Sequence, residues 1–119
     1  MKLLNPKDDE LNAAFAEKVA GLANISDWGA AGWHARDPKE GTRSPMRAIP
    51  DYVASTDAVL PWLEKHQWLS ERFEPGPHNH TYQVWLGESP WDKSGGGPTL
   101  AKAAVVALLR ANGVDVEFA

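Results

Sequence analysis

The stretch at residues 100–111 constrains this chain more than any other, because its twelve positions hold only two charges, Lys102 and Arg110. Pro98-Thr99 opens it and Asn112-Gly113 closes it, which are the start and stop signals of a helix. A helix that is apolar nearly all round has no face to turn to water, so it is buried on most sides. The rest of the chain must supply the elements that bury it, and 119 residues suffice for one domain with such a core. With 43% hydrophobic and 24% charged residues, neither a disordered nor a membrane class is favoured.

Asn5-Pro6 followed by Asp8, Asp9 and Glu10 predicts a first helix over residues 6–22, since Pro suits the first turn and acids there complement the helix dipole. Leu11, Ala14, Phe15, Val19 and Leu22 form its apolar face, with Gly21 and Asn24 as candidate stops. Ser55-Thr56-Asp57 starts a second helix, over residues 57–66, with Val59, Leu60 and Leu63 on its buried face. Pro61 is awkward there, because it removes a backbone donor and loosens the first turn. Alternation by two predicts strands at residues 67–73 and 81–86, joined antiparallel across a turn-rich loop at 74–80, and a last short strand at 114–118. Residues 25–56 read as irregular, with a short strand at 28–34. The order is α-β-α-β-β-α-β: a single α+β domain over residues 1–119, its small antiparallel sheet sandwiched by three helices.

The balance of 12 Lys and Arg against 16 Asp and Glu, net −4, argues against a nucleic-acid polymer as partner. The absence of Cys excludes disulfides, thiol nucleophiles and Cys-based zinc sites, and points to a reducing compartment. The first ten residues hold no export signal or spanning helix, so no membrane association is expected. His78 and His80 are spaced to share an ion, but they lie in a turn with no third ligand in register, so no metal is expected. His34 and His66 are isolated. No nucleophile elbow is present, and acids such as Asp51, Asp57, Glu88 and Asp92 lie at caps or in loops; Ser44, Ser89 and Ser94 are loop residues. Neither a catalytic residue nor a cofactor is expected.

Six of the eleven aromatic residues are Trp. Trp62 and Trp68 lie in or near regular elements, whereas Trp28, Trp33 and Trp91 fall in irregular segments. Trp28 and Trp33 with Arg36, Arg43 and Arg47 make a platform for a planar, anionic ligand through stacking and charge-assisted bonds. The same residue types make interface hot spots, and Trp also fills gaps in small cores. Gly95-Gly96-Gly97-Pro98-Thr99 adds a Gly-rich turn before a helix, whose free amides can hold an anion. The candidate ligand-binding set is therefore Trp28, Trp33, Arg36, Arg43, Arg47, Trp91, Gly96, Gly97 and Thr99.

Particular strings carry a family resemblance. Pro50-Asp51-Tyr52, then Ser55-Thr56-Asp57-Ala58-Val59-Leu60-Pro61-Trp62-Leu63, Trp68, Tyr82-Gln83-Val84 and residues 101–109 with Ala103-Ala104 resemble the phage ABA-sandwich domain family over residues 8–118. The resemblance implies a central antiparallel sheet enclosed by helices and a small accessory protein of bacterial viruses, acting in the host cytoplasm. It supplies no catalytic residues. By analogy with viral proteins that oppose host defence, the expectation is a homo-oligomeric, non-catalytic binder that sequesters a small nucleotide-like signal. The alternatives are a protein-binding module that blocks a host or phage partner, and a nucleotide hydrolase.

Overall fold

Thr99 caps α3 (Leu100–Ala111) by accepting the Lys102 amide at 3.2 Å, and Asn112 ends it before Gly113 turns the chain at φ +84°. Ala101 and every residue from Ala103 to Leu109 are buried. The computed structural model describes residues 2–41, 43–73, 81–87 and 94–118. In it α1 (Asp8–Lys18), α2 (Thr56–Leu63) and three strands pack around α3. Those strands are β6 (Tyr82–Leu86), β7 (Gly95–Gly97) and β8 (Asp115–Glu117). The fold is α+β, with Phe15, Leu11, Leu63, Val59 and Val84 among the side chains sealed against the central helix. No helix of the described residues is long and apolar enough to cross a membrane.

The strands divide among three small sheets. β5 (Trp68–Arg72) and β6 pair antiparallel from Trp68 opposite Leu86 to Arg72 opposite Tyr82, as the alternation predicts, and β7 adds to β6. β1 (Lys2–Leu4) pairs parallel with β8, joining opposite ends of the chain.

The third sheet corrects the irregular reading of residues 25–56. β2 (Ala23–Asp27), β3 (Trp33–Arg36) and β4 (Met46–Ala48) form an antiparallel meander. The strand expected at 28–34 starts only at Trp33; residues 29–31 are a tight 3-10 turn between Gly29 at φ +66° and Gly32 at φ +82°. A register shift between Ala23 and Ser26 hides the alternation that would mark β2.

Residues 95–97 are a second correction, since the expected free turn is a paired strand. A Cβ on Gly95 would lie 2.4 Å from the Ala107 nitrogen and 2.5 Å from the Ala103 carbonyl oxygen. The glycine is there because strand backbone meets helix backbone directly, with no room for a side chain.

The helix boundaries also shift by one to a few residues. Asn5 adopts φ +45° and α1 begins only at Asp8, where Glu10 Oε1 accepts the Lys7 amide at 3.1 Å. Ser55 Oγ accepts the Ala58 amide at 3.3 Å, so α2 begins at Thr56 and Pro61 falls inside it. Between β4 and α2, the Asn12 side chain holds the chain to α1. Its Nδ2 donates to Asp51 Oδ1 and its Oδ1 accepts the Val53 amide, both at 3.0 Å. That clamp positions Tyr52.

Candidate functional site

Where the meander meets the ends of α1 and α2 lies a cleft of about 310 Å³. Its floor is apolar, from Ala20, Leu22, Ala35, Tyr52 and Trp62. Asp37, Lys39, Glu40 and Arg47 bring charge to it. The volume is within the usual range for small-molecule sites, and a mostly apolar lining with a few polar groups is their usual character.

The polar groups are held by local chemistry. Asp37 precedes the 3-10 turn Pro38–Glu40 and caps it, its Oδ1 accepting the Lys39 amide at 2.9 Å. The Ser44 hydroxyl donates to the Asp37 carbonyl at 3.0 Å, fixing the backbone behind the carboxylate. Arg47 Nη2 lies 3.2 Å from Glu40 Oε2 across the rim. Lys39 has no carboxylate in ion-pair range among the described residues.

Tyr52 is the distinctive member. It is only 5% exposed, and its ring packs on Phe15 with centroids 4.4 Å apart. Its hydroxyl has no hydrogen-bond partner among the described residues. Burial pushes the pKa of that hydroxyl up, and the Asp37 carboxylate adds to the effect. The ring is buried but the hydroxyl is not sealed from solvent, so a phenol lines the cleft together with the Asp37 carboxylate. Trp62 is already engaged, edge-on to Phe15 at 6.3 Å and under the Lys65 ammonium at 4.3 Å. It therefore supplies apolar floor.

Of the residues expected to bind ligand, Arg47 lines the cleft. Trp33 turns toward α1, donating its indole N–H to Asp9 Oδ2 at 3.2 Å. Trp28, 49% exposed, stacks on His34 with ring centroids 3.9 Å apart and planes 12° from parallel. His34 and Arg36 alternate with Ala35 on β3, so Trp28 and Arg36 share the outer face of the meander, with Met46 opposite Arg36. Arg43 sits in an exposed turn. Gly96 and Gly97 belong to β7, while Thr99 caps α3 and donates to the Val53 carbonyl at 3.4 Å. Trp91 lies outside the described residues, as do His78, His80, Glu88, Ser89 and Asp92.

The platform is thus dispersed: Arg47 on the cleft, Trp28 and Arg36 on the opposite face, Trp33 in the packing. Sequence reasoning missed Asp37, Lys39, Glu40, Tyr52 and Trp62 as cleft residues. Asp37-Pro38 is a local signal for a capped turn. Nothing local brings Tyr52 and Trp62 to the same place. Among the described residues no group of three or more His, Asp or Glu is placed to hold a metal ion.

No family model matches the chain, and no curated protein does. The structure is similar to that of a phage protein from Bacillus cereus ATCC 14579, with a TM-score of 0.72 and 17% identity. The match covers 94% of this chain and 93% of that one. The likeness establishes a shared fold.

Proposed function

We propose that the chain is a phage accessory domain of the ABA-sandwich type, and that it binds a small nucleotide-like ligand in the cleft without transforming it. The observation that carries the ligand site is the cleft itself, in which the apolar Tyr52 and Trp62 lie with the charged Asp37, Lys39 and Arg47. The likeness to a phage protein supports the viral setting. A domain of this kind lowers the free concentration of a signal simply by binding it, which is how it would oppose a host defence.

Calorimetric titration with linear and cyclic nucleotides at about 100 μM protein, where weak sites still register, is the direct test. Binding is expected for at least one class and should weaken about tenfold or more in Tyr52→Phe, which leaves a ligand acceptor unpaired. Recovering the ligand intact after incubation separates binding from hydrolysis. If no nucleotide binds across the panel, the reading fails.

A second reading, a protein-binding module, is favoured by the exposed Trp28 stacked on His34. It predicts a stoichiometric protein partner lost in Trp28→Ala and unaffected by Tyr52→Phe.

A further inference from the structure

We infer that the free edge of β5 is the contact by which two copies of this chain pair, antiparallel about a two-fold axis at Ser70. None of the residues lining the cleft lies on β5, so pairing there does not draw on the ligand site.

β5 ends its three-stranded sheet, and among the described residues no strand pairs with its outer side. The Phe73 amide donates to the Thr81 carbonyl at 2.6 Å and the Gly87 amide to the Gln67 carbonyl at 2.5 Å, so the odd-numbered residues of this stretch bond to β6. The backbone N–H and C=O of Trp68, Ser70 and Arg72 therefore point to the free side, where they have no hydrogen-bond partner among the described residues. The other sheet edges are blunted. β1, β4, β7 and β8 have three residues each, and β2 carries a register shift. β5 runs five residues in unbroken register, the kind of edge that takes up another strand.

The strand is complementary to itself. With Ser70 on the axis, Trp68 of each copy faces Arg72 of the other and Ser70 faces Ser70, and these pairs exchange every free N–H and C=O of the edge. Moving the axis to Leu69 or to Glu71 sets Arg72 or Trp68 opposite a residue outside the strand, and the second choice also sets Glu71 against Glu71. Side chains agree with the Ser70 register. The Arg72 guanidinium meets the Trp68 ring of the other copy, a cation–π pairing. On the outer face Leu69, 60% exposed, stands opposite Glu71 and diagonal to Leu69 and Phe73 of the other copy, so side chains now in contact with water cover one another. No like charges fall directly opposite. A match at every position of the strand with its own sequence identifies the partner as a second copy.

Sedimentation of the full chain over about 1–500 μM, a range that includes weak association, should show a monomer–dimer equilibrium. Ser70→Pro removes an N–H that β6 does not use, so the variant should stay folded by circular dichroism and be monomeric throughout. Leu69 tests the register, because Leu69→Glu and Leu69→Lys remove the same exposed side chain. Opposite Glu71 a glutamate repels and a lysine attracts, so the lysine variant should dimerise about tenfold or more tightly than the glutamate variant. A wild-type protein that stays monomeric overturns the proposal, whether or not some other chain binds β5. So does a dimer that folded Ser70→Pro leaves intact, or a lysine variant that dimerises no better than the glutamate variant.

Discussion

At the scale of single residues, one side chain and one missing side chain have the largest consequences. Gly95 is the missing one, a strand glycine whose Cβ would meet backbone atoms of α3 at 2.4 and 2.5 Å. Those atoms belong to a buried helix and cannot yield cheaply, so Gly95→Ala should cost about 1–3 kcal/mol, the usual range for overpacking. Gly97, whose Cβ would clear the Ala103 nitrogen by 3.2 Å, should tolerate Ala better. Urea denaturation of both variants checks the difference, and equal losses would contradict the close approach at Gly95. Tyr52 gives a pH dependence whose sign follows from linkage. Its pKa in the folded state lies above the ordinary 10.0, so its contribution is fully present below that value. As pH rises past 10.0 the unfolded chain loses the phenolic proton first, and stability falls until the folded-state pKa is passed. Urea midpoints measured across this alkaline range should fall more steeply in the wild-type protein than in Tyr52→Phe; matching slopes would show that the hydroxyl is not held in its neutral form.

At the scale of elements, local signals decided what was legible. α3 is marked by its apolar run and by caps at both ends, and it lies where the sequence predicts. β5 and β6 alternate over five residues each and are equally plain. α2 is displaced by one residue at its start because Ser55, rather than Asp57, accepts the capping amide. Pro61 consequently sits inside the helix, where its ring nitrogen cannot donate to the preceding turn. Pro61→Ala should restore that bond and stabilise the protein by about 1 kcal/mol, the helix-interior penalty of Pro less the entropy it removes from the unfolded chain. A lowered thermal midpoint would mean that the ring makes packing contacts worth more than the bond. The meander and β7 were illegible for a different reason. Strands of three to five residues, interrupted by glycines or a register shift, carry too few alternations to show a period.

At the scale of the whole molecule, the ends of the chain meet. β1 lies parallel to β8, and the Asn5 amide donates to the Glu117 carbonyl at 2.8 Å. The Lys2–Glu117 ion pair, at 3.6 Å between exposed groups, adds little. Leu3 contributes more, since it packs partly buried on the core beside Val116. Removing residues 1–4 should therefore cost about 1–2 kcal/mol, roughly half the value of a fully buried Leu. A calorimetric melt of the truncated chain checks it, and an unchanged midpoint would mean that β8 is secure without its partner.

Composition and periodicity by themselves determined the α+β class, the buried C-terminal helix and the β5–β6 pair, because each rests on short-range pattern. Only the tertiary structure decided where a cleft forms. The Trp and Arg residues that look like one platform in sequence are spread over different faces, since neighbours on a strand point to opposite sides. The cleft joins Tyr52, clamped by Asn12, to Asp37 on a capped turn and Trp62 on α2. These are residues whose proximity comes from packing around α3.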